Sequence, residues 1–110
     1  MSAVNNACEA FRTLLEEQLR RIENMNTEKT DFSAKEVVTI GVVDGDGIGP
    51  IIMKQARRVL ENLLADELAA GTVILKNIDG LTIENRLAQG KPVPEDVLEQ
   101  IKACDVLLKG

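Results

Sequence analysis

The residues best placed to do chemistry lie in one loop, Asp44-Gly45-Asp46-Gly47-Ile48-Gly49-Pro50, directly after the apolar run Val37 to Val43. A glycine loop can serve several chemistries, and each has its own spacing. A dinucleotide fingerprint G-x-G-x-x-G beginning at Gly45 needs glycine where Pro50 stands, and Asp44 and Asp46 would repel a pyrophosphate. A phosphate-cradling G-x-x-x-x-G-K-[ST] has no match. A calcium loop led by Asp44 and Asp46 puts Ile48 at the third ligand and Gln55 at the bidentate twelfth position, so it fails twice. What survives is a tight strand-to-helix turn in which glycines take positive φ, with Pro50 as the first helical residue. Asp46 is expected to hold that turn by accepting hydrogen bonds from the first amides of the following helix.

The wider inventory narrows the chemistry. The 110 residues include no His, Trp or Tyr, which removes a histidine base, a His/Cys zinc site, a Ser-His-Asp triad and a tyrosine acid. Cys8 and Cys104 have no C-x-x-C spacing and read as inert packing thiols of a reducing compartment, which makes a cytoplasmic protein the expectation. A net charge of -5, with scattered bases and only Phe11 and Phe32 as aromatics, argues against nucleic acid or an anionic membrane as partner. No apolar stretch is long enough for a membrane span or signal peptide.

The elements that must position the loop follow from periodicity. Val4, Ala7, Cys8, Phe11, Leu14, Leu15, Leu19 and Ile22 form one stripe of an amphipathic helix over residues 2 to 25, which needs something to pack on. An aperiodic linker, Asn24 to Lys35, follows. The β-branched run Val37 to Val43 predicts a strand buried on both faces. Ile52, Ala56, Val59, Leu60, Leu63 and Leu64 predict a helix stopped by Gly71, and Thr72 to Leu75 a second strand, the spacing of a βαβ crossover. A helical turn over Leu81 to Leu87 is expected next. Pro94 at the first helical position, then Glu95 and Asp96, mark another helix with Val97, Leu98 and Ile101 inward. Asp105 to Gly110 predicts a third buried strand. The fold class is α/β: a partial doubly wound parallel sheet, βαβαβ, over residues 35–110, preceded by a helix and linker over 1–34.

The whole string is more specific than its loop. Gly45-Asp46-Gly47-Ile48-Gly49-Pro50 after an apolar strand, Ile83-Glu84, Gly90-Lys91-Pro92-Val93-Pro94 and Cys104-Asp105-Val106-Leu107-Leu108-Lys109-Gly110 together resemble, in order and spacing, the isocitrate and isopropylmalate dehydrogenase family. The Leu-Lys-Gly ending and the run Asp79 to Arg86 are more similar to the isocitrate enzymes. Asp44, where the family usually has Pro or Gly, and Ile51, where it usually has Glu, depart from the pattern.

The resemblance implies a dimeric two-domain α/β enzyme that passes hydride from a small 2-hydroxy acid to NAD or NADP, with Mg²⁺ or Mn²⁺ polarising the carbonyl before decarboxylation. It places the metal aspartates, the substrate-gripping arginines and the Tyr and Lys that move protons after the Leu-Lys-Gly strand. No catalytic residue and no metal ligand is therefore carried onto this chain, and cofactor and metal are not expected to bind it alone. Lys109 is the one ligand-adjacent candidate, at a strand's C-terminal end. Gly45, Asp46, Gly47, Gly49 and Pro50 are read as a structural loop, and Arg57 and Arg58 as a solvated helix face. An inactive dehydrogenase segment is the leading expectation. A non-catalytic module that associates with itself or with a full-length subunit through its helix and open sheet edge is the other.

Overall fold

In the computed structural model, which describes residues 2–110, Ser2 opens the first helix, its hydroxyl oxygen accepting the Asn5 N–H at 3.2 Å. That is the usual answer to the unpaired amides of a helix start. The helix, α1, runs Ala3–Glu23, with Arg20 and Arg21 in the last turn where the helix dipole favours cations. The expected apolar stripe is present, but no residue of α1 is buried, and Phe11 is 61% exposed. Cys8, read from sequence as a packing thiol, is exposed with it. The residues up to Thr30 form one unit and Asp31–Gly110 a second.

In the second unit a single 3₁₀ turn, Phe32–Ala34, is capped by Asp31. Then come β1 (Val38–Val43), α2 (Gly49–Leu63), α3 (Ala65–Ala70), β2 (Val73–Asn77), α4 (Ile83–Gln89), α5 (Glu95–Lys102) and β3 (Val106–Lys109). The strands form one parallel sheet in the order β2-β1-β3, the α/β arrangement that the aliphatic runs predict. β1 is central, pairing from Val38↔Val73 to Val42↔Asn77 on one side and from Ile40↔Val106 to Val43↔Lys109 on the other. Side chains alternate along it. Val43 joins Ile78 and Val97 in the core, with Leu81, Ile101 and Cys104 packed around them, while Val42 and Met53 are buried as well. Gly41 is what lets this layer close. A Cβ there would lie 2.9 Å from both Cys104 Sγ and Ile78 Cδ1.

Several expectations are corrected. The helix after the glycine loop begins at Gly49, so Pro50 takes its second position, and it ends at Leu63; Gly71, left-handed with φ 77°, stops the separate helix α3. The apolar stripe of α2 is divided: Met53 is buried, but Val59 and Leu63 are 60% and 72% exposed. Pro94 is the N-cap of α5 and not its first residue, and Leu98 is only partly covered, at 37% exposed, while Val97 is fully buried. The two outer strands are half exposed, with Ile74 and Val106 each at 46%, because each has a strand neighbour on only one side. Arg57 is not simply solvated: its Nε donates to Glu61 at 3.0 Å and its Nη1 to the Asn77 side chain at the end of β2.

The start of β3 is tied to β1 by Asp105. Its Oδ2 accepts the Thr39 N–H at 2.8 Å, its own N–H donates to the Thr39 carbonyl at 2.9 Å, and its Oδ1 pairs with Lys35. The Lys35 ammonium, then the Thr39 amide, hold the Asp105 carboxyl below the usual aspartate range. Such a group adds stability that is present above its unfolded pKa of about 3.9 and is lost as pH falls through the folded value. Asp105→Asn is therefore expected to lower the urea midpoint at pH 7, with the gap to the wild type closing as pH falls below about 3.9. A gap that stays constant down to about pH 2 would mean that the charge contributes nothing.

Candidate functional site

The loop after β1 is built on three glycines with two different jobs. Gly45 and Gly47 have φ of 70° and 59°, the left-handed region that L side chains avoid. Gly49 has an ordinary φ but no room: a Cβ would stand 2.1 Å from the Asp44 carbonyl oxygen. This lets the chain fold back on itself, with the Gly49 N–H donating to the Asp46 carbonyl at 2.9 Å. The end of β3 presses on the same place. Gly110 donates to the Val43 carbonyl at 2.8 Å, and a Cβ on Gly110 would meet the Asp44 carbonyl oxygen at 2.7 Å and Gly49 Cα at 3.0 Å.

Asp46 does cap a helix, though not the one sequence reasoning assigned. The start of α2 has no side-chain cap. Asp46 Oδ2 instead accepts the Ile83 N–H at 3.0 Å, in the first turn of α4. Thr82 takes the Asn85 N–H at 3.3 Å, and the Asn85 side-chain amide donates to the Gly80 carbonyl at 2.8 Å. The glycine loop thus fixes the start of a helix 37 residues away.

Between these elements lies a cleft of about 380 Å³. Its walls are Gly45 and Asp46 of the loop, Leu81 and Arg86, the Pro92-Val93 turn, and Lys109 and Gly110 at the end of β3. It sits where ligands gather in open α/β sheets, beyond the carboxyl ends of the strands. A groove of about 460 Å³ lined by Ile83, Arg86, Leu87, Gly90, Lys91 and Pro92 touches no strand end, and position favours the first cleft.

Of the residues singled out from sequence, Gly45, Asp46 and Lys109 come together in the cleft; Gly47, Gly49 and Pro50 shape the turn behind it. Lys109 is exposed, its Nζ donating to the Gly110 carbonyl at 3.0 Å. Sequence reasoning gave Arg86 no site role: it is one of six arginines, named only as the last residue of the Asp79 to Arg86 run. The one available hint was Thr82 as a helix cap, which places Arg86 one turn into a helix entered from the loop side. The charged side chains lining the cleft are Asp46, Arg86 and Lys109, two of them cationic.

The residues present do not fit a metal. Among the described residues no three carboxylates or thiols converge as a divalent cation requires, and no step is derived through one. The loop does not follow the dinucleotide spacing either, since Pro50 stands at its last glycine. Among the described residues no helix is long and apolar enough to cross a membrane.

Comparison with known proteins finds relatives over part of the chain. Over 75 residues the chain is 39% identical to the 3-isopropylmalate dehydrogenase of Psychrobacter cryohalolentis, a match taking in 67% of this chain and 19% of that protein. It is 38% identical over 78 residues to the 3-isopropylmalate dehydrogenase of Carboxydothermus hydrogenoformans, covering 71% of this chain and 20% of that protein. The 3-isopropylmalate dehydrogenase 1 of Bradyrhizobium diazoefficiens is 34% identical over 73 residues, 66% of this chain and 18% of that protein. No family model matches the chain, and no solved structure does. The chain spans about a fifth of the length of the curated relatives it matches, and about two thirds of it is homologous to part of 3-isopropylmalate dehydrogenases.

Proposed function

We propose that this chain supplies the strand-end wall of the substrate cleft in a metal-dependent, NAD- or NADP-linked decarboxylating dehydrogenase, and that it is inactive by itself. One observation carries this reading: the glycine loop after the first strand and Lys109 at the end of the last one, far apart in sequence, line one cleft at the carboxyl ends of parallel strands. Homology to much longer dehydrogenases supports it. Arg86 and Lys109, the cationic side chains of the cleft, suit the carboxylates of a small 2-hydroxy acid. The Leu108-Lys109-Gly110 ending favours isocitrate as that acid. The names of the homologues favour isopropylmalate, which is the second reading. The assembly on either reading is a homodimer working in the cytoplasm.

The purified chain, given Mn²⁺, either substrate and NAD or NADP, is expected to produce no reduced cofactor; turnover would overturn the claim that the reacting groups lie elsewhere. The coding DNA beyond the Gly110 codon is expected to continue, in some frame, into Pro and Thr codons and later a Tyr and several Asp. A continuation without them in all three frames sinks the dehydrogenase reading. Where it does continue so, expressing the longer product and comparing rates on the two acids decides between them.

A further inference from the structure

We propose that Arg86 is an anion-gripping residue of the strand-end cleft, acting with Lys109 on a carboxylate or phosphate group of the ligand; this rests on reading that cleft as a ligand wall. Three charged side chains line it, and they are engaged differently. Asp46 is turned to the Ile83 amide. Arg86 has no carboxylate partner among the described residues, whereas Arg57 pairs with Glu61 and Lys91 with Glu95, and the Lys109 ammonium donates to the Gly110 backbone oxygen. An unpaired guanidinium beside the Lys109 ammonium on one small cleft creates a potential that an oxyanion would satisfy.

The mounting of Arg86 adds to this. Its N–H donates to the Thr82 carbonyl at 2.9 Å and its carbonyl accepts the Lys91 N–H at 3.2 Å, beside the left-handed Gly90 that ends α4. Asp46 ties the first turn of the same helix to the glycine loop. The guanidinium is thus carried on a short helix held at both ends, one of those holds coming from the opposite wall of the cleft. A planar fork on a fixed mount can grip an oxyanion through two parallel hydrogen bonds, which an ammonium cannot do.

The test is a titration of the full chain followed by ¹⁵N amide shifts, with malate as a hydroxy dicarboxylate in one series and inorganic pyrophosphate in the other. Shifts at Gly45, Gly47 and Gly110 are expected in one series, and which series responds tells a carboxylate site from a phosphate site. Arg86→Gln is expected to weaken that binding about tenfold, with Arg86→Lys weakened as well. Amides away from the cleft should keep their wild-type positions in these variants, since the Arg86 side chain has no partner to lose. If Arg86→Gln binds as the wild type does while Lys109→Gln is weakened, the inference about Arg86 is wrong and the cleft reading stands. If neither probe moves these amides in the wild type, the cleft reading fails and takes Arg86 with it.

Discussion

Gly49→Ala is expected to destabilise the Asp31–Gly110 unit by more than about 3 kcal/mol, read as a lower urea midpoint. The added methyl would lie 2.1 Å from the Asp44 carbonyl oxygen, and that oxygen belongs to backbone that cannot swing aside. Relief would require opening the loop, which breaks the Gly49 to Asp46 hydrogen bond and separates the loop from Gly110. The neighbouring Gly47 is the control. It has positive φ, but a methyl added there would meet nothing within 4 Å, so Gly47→Ala incurs only the left-handed backbone penalty of about 1 to 2 kcal/mol. Equal losses for the two variants would mean that close backbone approach is not what position 49 requires.

Val97→Asp is expected to leave the unit unfolded in the absence of denaturant. Val97 is 0% exposed and packs against Val43 and Ile78, with its Cγ2 against the bare Gly80 backbone. A carboxylate there is desolvated without a cationic partner, a change in the class that costs more than about 4 kcal/mol. Val97→Ala, which removes two methyl groups, is expected to cost about 2 kcal/mol and leave a cooperative transition. The buried hydrophobic core is Val42, Val43, Met53, Ile78 and Val97 among the described residues, so little else can compensate. Leu98→Asp, one position on but 37% exposed, is the comparison and should be much milder. Circular dichroism of Val97→Asp with native-like signal and a wild-type midpoint would refute the assignment.

How much of this was legible depends on the range over which each feature is decided. The three strands, the glycine loop and, to within one residue, the helix starts near Pro50 and Pro94 were readable because β-branched runs, Gly and Pro act over a few residues. The break at Leu64 was not, since Leu63-Leu64-Ala65 consists of good helix formers with neither Gly nor Pro. The exposure of β2 and β3 escaped notice for another reason: an aliphatic run reports what a strand can bury, not whether a neighbour covers it. In the cleft, Lys109 was found from its place at a strand end. The partner of Asp46 was out of reach because it is a backbone amide, chemically identical at every residue and selected only by the fold. Arg86 became distinguishable from the other arginines once that contact had oriented α4.

The central place of β1 sets the order in which the sheet can be assembled. The strand made first is the one flanked on both sides, and Thr39 meets Asp105 across 66 steps of chain. At the usual pace of synthesis, β3 leaves the ribosome roughly 3 to 13 seconds after β1. Until then one edge of an apolar strand is open to any other extended chain. Pairing this remote also makes folding slow, because the loop must close before any contact rewards it. Of the two seams flanking β1, the one with β3 forms later in synthesis, and it is the one that builds the cleft at the strand ends.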